Sequence, residues 1–278
     1  MVKLIKYDLR CGIAYNYKKI LMFVLFIIVY NFIGGNAIIE YSRLNNIKPD
    51  VLDFFCYILG GPKFIPEGML EIYEVPVMWL MIQIFIAYIV GYYAVTDLHK
   101  YGQHVLLRSV SRKKWWLSKI VWNAVTVIFM YAIVLCVTVV NAHISGAGFQ
   151  WKLTDEIAIQ LCSFYFVPKS TNVVLVFIFI MPVIVSLAIS SIQMVIALIS
   201  SPIIGFVVSQ SITFLSTIYS TKWLISNYAM LSHSRYTCLS DIGYKEGIIV
   251  CFVVYLISVI LGSIYFSYCN ILPKSREI

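Results

Sequence analysis

Residues 170–221 read STNVVLVFIFIMPVIVSLAISSIQMVIALISSPIIGFVVSQSITFLSTIYST, 52 residues without an Asp, Glu, Lys or Arg. A bilayer core about 30 Å thick is crossed by roughly 20 apolar residues, so this stretch is too long for one span and has to double back. The turn falls at Ser200-Ser201-Pro202, because proline lacks a backbone N–H and disfavours helix in the residue before it. Four other charge-free stretches, 20–39, 75–96, 120–151 and 247–273, bring the expected total to six spans.

The composition agrees. Of 278 residues, 61% are hydrophobic and 12% are charged, against about 25% charged in a soluble domain. Lipid offers no partner to a free N–H or C=O, and the stretches lack period-2 alternation, which favours helices over a barrel. The expectation is an all-α integral membrane protein forming one transmembrane domain over 1–278. Its spans are predicted near 20–39, 75–96, 120–141, 173–199, 203–219 and 248–269.

The net charge of +8 has to be read by position. On the side holding the N-terminus, the 97–119 loop and the tail, 13 Lys/Arg face three acids; the other side has eight against ten. The positive-inside rule therefore predicts cytoplasmic N- and C-termini, and the charge is a topology signal with no hint of nucleic-acid binding. Residues 1–19 carry Leu4, Ile5, Leu9 and Ile13 near helical spacing among five basic residues, which predicts an amphipathic interfacial helix on the inner leaflet. The first apolar stretch follows a long basic lead without a small-residue cleavage site and is read as a retained span.

Catalytic constellations are thin. There is no GxxxxGK[ST] phosphate loop, no HExxH, no Gly-x-Ser-x-Gly elbow and no pair of acids within a span. His99 and His104 stand beside Asp97 without a third ligand, so no metal site is expected. Seven cysteines show no CxxC pattern; Cys56, Cys162 and Cys238 fall on the external side, where one disulfide is possible and the sequence does not choose it. Polar residues inside spans, above all Asn123, Ser190 and Gln193, either pack helices or line a substrate path. Pro182 is expected to kink its helix.

The loop between the second and third spans, DLHKYGQHVLLRSVSRKKWWLSK from Asp97 to Lys119, is the informative one. Asp97 is a candidate N-cap, and Leu98, Tyr101, Val105 and Leu106 recur at helical intervals up to Arg108. Arg112, Lys113 and Lys114 are then expected at the headgroups, with Trp115 and Trp116 at the interface. The run from Leu106 to Lys119 resembles the permease subunits of ATP-binding-cassette transporters of the ABC-2 type, in particular small bacterial peptide or antibiotic exporter and immunity permeases. The resemblance covers the whole chain in topology and about 15 residues in motif, and departs in the almost uncharged connection between spans four and five.

The resemblance implies a cytoplasmic coupling helix between spans 2 and 3, with Leu106, Leu107, Arg108, Ser109, Ser111 and Arg112 touching a separate ATPase. It further implies two ABC ATPase subunits, a second copy of this permease or a related one, and ATP and magnesium held by the partner, with no cofactor on this chain. The expected function is outward movement of an amphipathic peptide such as a bacteriocin, a lipid-like molecule or a drug across the bacterial cytoplasmic membrane. The alternative is a non-transporting membrane immunity or assembly protein that binds a peptide. The chain is not expected to be an enzyme in its own right.

Overall fold

A computed structural model describes residues 1–62, 74–99, 111–162, 164–238 and 240–268. The described residues form helices α1 (Val2–Leu44), α2 (Val51–Leu59), α3 (Val77–His99), α4 (Arg112–Ile144), α5 (Asp155–Gln160), α6 (Thr171–Leu175), α7 (Met181–Ile199), α8 (Pro202–Ile218) and α9 (Tyr244–Tyr268). A π turn, Val176–Ile180, joins α6 to α7 without a break, and two 3₁₀ turns, Ile225–Ala229 and Leu231–His233, precede α9. Among the described residues the only β pairing is an isolated bridge between Asp50 and Gly148.

Among the described residues, five helical segments are long and apolar enough to cross a membrane: α1, α3, α4, the continuous Thr171–Ile199 rod, and α9. The chain is an all-helical, multi-pass membrane protein. The expected fifth span, α8, has 17 residues and rises about 26 Å, short of a typical core thickness. It folds back on α7 where the sequence places the turn. The Ser201 hydroxyl caps α8 by accepting from the Ile204 N–H at 3.3 Å, and Pro202 occupies the first turn, where its missing N–H costs nothing.

The lead differs from its expectation. Residues 1–19 are not a separate helix but the opening turns of α1, a single helix of 43 residues. The reason is a continuous buried stripe: Asp8, Gly12, Asn16, Phe23, Ile27, Asn31, Gly34, Ile38 and Ser42 all face the bundle. Glycines let α1 and α4 approach closely along it. A Cβ on Gly12 would lie 2.0 Å from Trp122 Nε1, and one on Gly35 would lie 2.4 Å from Asn141 Nδ2. Asn141 also donates to the Asn31 carbonyl at 2.7 Å.

The π turn has its cause in Pro182. Proline's ring crowds the carbonyl four residues back and its nitrogen offers no hydrogen, so the hydrogen-bond register widens over Val176–Ile180. At the end of the bundle away from the N-terminus, a cap forms from α2, residues 145–162 and 164–170, and the 3₁₀ turns. Tyr228, Ala229, Met230 and Leu231 are buried there in protein. Gly61, at φ +94°, closes this cap, since a side chain would strain the backbone and meet Met230 Cβ at 2.8 Å. Cys56, Cys162 and Cys238 are all free and buried, and burial pushes their thiols up.

Candidate functional site

At the N-terminal end, three charged side chains meet inside the protein. Asp8 of α1 is 2% exposed, Asp97 of α3 is 7% exposed and Lys119 of α4 is fully buried. Lys119 Nζ donates to Asp8 Oδ1 and, at 2.6 Å, to Asp97 Oδ2. The Ser118 hydroxyl donates to Asp8 Oδ2, and Tyr93 OH donates to Asp8 Oδ1 at 3.1 Å. The rings of Tyr93 and Trp115 stand 4.7 and 4.8 Å from the ammonium and shield it. A buried charge survives only when paired and hydrogen-bonded, and this cluster supplies both.

The cluster explains two departures from the sequence reading. Asp97 is not the N-cap of a new helix but part of the last turns of α3, where Lys119 holds it. Trp115 and Trp116 do not face lipid headgroups either, being 1% and 0% exposed. Trp115 stacks on Phe266 with centroids 4.6 Å apart, and Trp116 Nε1 donates to the Val259 carbonyl at 3.0 Å. Arg112 Nη1 donates to the Ser267 carbonyl at 3.3 Å, so the start of α4 is fastened to α9 as well as to α1 and α3.

Of the expected coupling residues, Ser111 and Arg112 are at the start of α4, while Leu106, Leu107, Arg108 and Ser109 lie outside the described residues. His104 lies outside them too. The cluster therefore stands at the two stems of the 100–110 segment, with Asp97 before it and Lys119 after it.

From the cluster a polar seam runs into the bundle between α3, α4 and α7. Asn123, one turn beyond Lys119, accepts from the Ser190 hydroxyl at 3.0 Å. Gln193 donates to the Ala87 carbonyl at 2.9 Å, which Gly91 permits by leaving space beside the amide. Farther in, Gln83 Nε2 donates to Tyr131 OH at 2.9 Å, and Ser186 Oγ lies 2.8 Å from Tyr131 OH and 3.0 Å from Gln83 Oε1. Asn123, Ser190 and Gln193 are thus brought onto one seam, at exposures of 2% or less. Asn123 Nδ2 and Gln193 Oε1 are buried without partners. Thr138, Ser191 and Ser209 bond back to carbonyls of their own helices.

Sequence reasoning missed Asp8, Tyr93 and Lys119 as a unit, and Gln83 and Tyr131 as members of the seam. A usable signal existed for Gln83, the single amide between residues 75 and 96. Among the described residues no group of three or more His, Cys, Asp or Glu is placed to hold a metal ion. No protein-family model, curated protein or solved structure matches the chain.

Proposed function

We propose that this chain is the membrane-spanning subunit of an ATP-driven exporter of the ABC-2 kind, with six spans and both termini in the bacterial cytoplasm. It works with two separate ATPase subunits, which hold ATP and magnesium, and with a second copy of this permease or a related one. Its cargo is an amphipathic peptide, a lipid-like molecule or a drug.

The observation that carries this reading is the Asp8–Lys119–Asp97 cluster at the stems of the 100–110 segment. A subunit without its own phosphate loop has to receive work through a cytoplasmic contact. A basic, partly apolar loop suits that contact, provided that its displacement is passed on and not absorbed. Here the stems cannot move independently, because Lys119 ties α3 to α4 and α1, and the tryptophans tie α4 to α9. Displacement of the loop moves four helices together, the rigid-body kind of motion that alternating access requires. The seam between α3, α4 and α7 is then where helices part, and Asn123, Ser190 and Gln193 are the polar groups uncovered to cargo.

The test is recovery of the tagged protein from its native membrane in mild detergent with nucleotide present. A stoichiometric ATPase should be retained by the unaltered chain and lost in Arg108→Glu and Arg112→Glu at normal expression. Retention by both variants overturns the assignment of the loop. If the unaltered chain retains no ATPase, the transporter reading fails, leaving the non-transporting peptide-binding membrane protein.

A further inference from the structure

We propose that the cleft at the carboxyl end of α1 is a binding site for a phosphate-type oxyanion, held between Arg43 and Lys48. The cleft has a volume of about 460 Å³, within the range of small-ligand sites, and is lined by Ile39, Ser42, Arg43, Asn46, Ile47, Lys48, Pro49 and Ser145. Among the described residues its lining holds two cations and no acid.

The way α1 ends sets these cations free. Asn46 takes the left-handed conformation at φ +53°, the Ile47 N–H returns to the Ser42 carbonyl at 2.9 Å, and the Asn46 N–H returns to the Arg43 carbonyl at 3.4 Å. This is a Schellman closure with asparagine in place of glycine. The Tyr41 carbonyl is taken twice, by the N–H and the side-chain amide of Asn45 at 3.1 and 2.9 Å. The Tyr41, Ser42 and Arg43 carbonyls are therefore already satisfied, and neither Arg43 nor Lys48 is needed to cap them. Both side chains are exposed, and neither has an ion-pair partner among the described residues. The contrast is with Lys222 and Arg235 at the same end, which pair with Asp241 and Glu246.

One further feature points to a ligand. Beside the cleft α1 has an outward apolar face, on which Val29, Phe32, Ile33 and Leu44 are exposed. A headgroup phosphate in the cleft with its acyl chains along α1 satisfies both halves of the surface. A free phosphate satisfies only the charged half.

The site does not depend on the transport reading. Its test uses the purified full-length chain and native mass spectrometry with phosphatidylglycerol or phosphatidylcholine, with inorganic phosphate added as competitor. Phosphatidylglycerol should be retained selectively. The double variant Arg43→Gln, Lys48→Gln should lose about tenfold in that retention, Arg43→Lys should keep most of it, and Lys222→Gln should leave it unchanged. Competition by inorganic phosphate assigns the site to the free anion, and its absence assigns it to the lipid headgroup. Equal retention of the two lipids without phosphate binding overturns the proposal, as does equal loss in the double variant and in Lys222→Gln.

Discussion

Two pairs of buried carboxylates stand at opposite ends of this bundle, and they are held in opposite ways. Asp8 and Asp97 share a buried ammonium, while Asp50 and Asp53 have no cation among the described residues and accept from neutral donors. Asp50 and Asp53 form the capping box of α2, with the Asp50 N–H donating to Asp53 Oδ2 at 2.8 Å and the Leu52 N–H to Asp50 Oδ1 at 3.3 Å. They also reach across to the 150–154 strap. The Gln150 N–H donates to Asp50 at 2.7 Å, and the N–H and hydroxyl of Thr154 donate to Asp53 at 2.9 and 2.7 Å. Between these anchors Trp151 sits at φ +56°, a strained conformation for a bulky residue, with its ring stacked on Phe55. The first pair unites three long helices by charge. The second pins a loop by geometry, and burial pushes the Asp53 carboxyl from its ordinary 3.8 up to about 6.

The comparison breaks most sharply at Lys119. Lys119→Met strands two acids in a buried site and should cost about 3–5 kcal/mol, read as loss of folded protein by thermal unfolding in detergent. Adding Asp8→Asn and Asp97→Asn should restore most of that stability; if Lys119→Met alone is harmless, the cluster does not hold the stems.

The next effect is a pH response confined to the other end. Because Asp53 holds its proton to higher pH in the folded cap than in the open chain, the folded state binds more protons between about pH 4 and 6. Cap stability should therefore fall as pH rises through that window, by at most about 3 kcal/mol, and stay level above it. Amide exchange at residues 150–156 reports it, and Asp53→Asn should abolish the slope. An unchanged slope in that variant would falsify the assignment to Asp53.

Smaller still, Thr154→Val removes one hydroxyl donor to Asp53, for a loss of about 1 kcal/mol, and should move the same window upward. A downward move contradicts the role given to that hydroxyl. Ser190→Ala, in the seam, should cost about 0.6 kcal/mol, as an average hydrogen bond between membrane helices does. A cost several times larger would mean that Asn123 has no other partner within reach.

How far the sequence carries depends on whether the signal is local. The hairpin at Ser200-Ser201-Pro202 was legible because the turn chemistry and the length limit sit in one window. The Asp8–Lys119–Asp97 cluster was not, since its members are 111 and 22 residues apart and each looks like an ordinary flanking charge. Continuity of α1 through the basic lead was hidden for the same reason. The stripe that holds it includes Asp8, Gly12 and Asn16, which become a buried face only once α3 and α4 are in place. The motif residues Leu106 to Ser109 belong to the segment that the structure does not describe.

The π turn before Pro182 amounts to one residue more than an α-helix needs. Removing a single residue within Val176–Ile180 would let the rod close as uninterrupted α-helix, and everything upstream would turn by about 100° relative to α7. Phe177 would leave Tyr236 and Tyr244, and Phe179 would leave Phe55 and Trp151. In this protein, then, the length of one helix by a single residue decides which aromatic partners the far end of the bundle keeps.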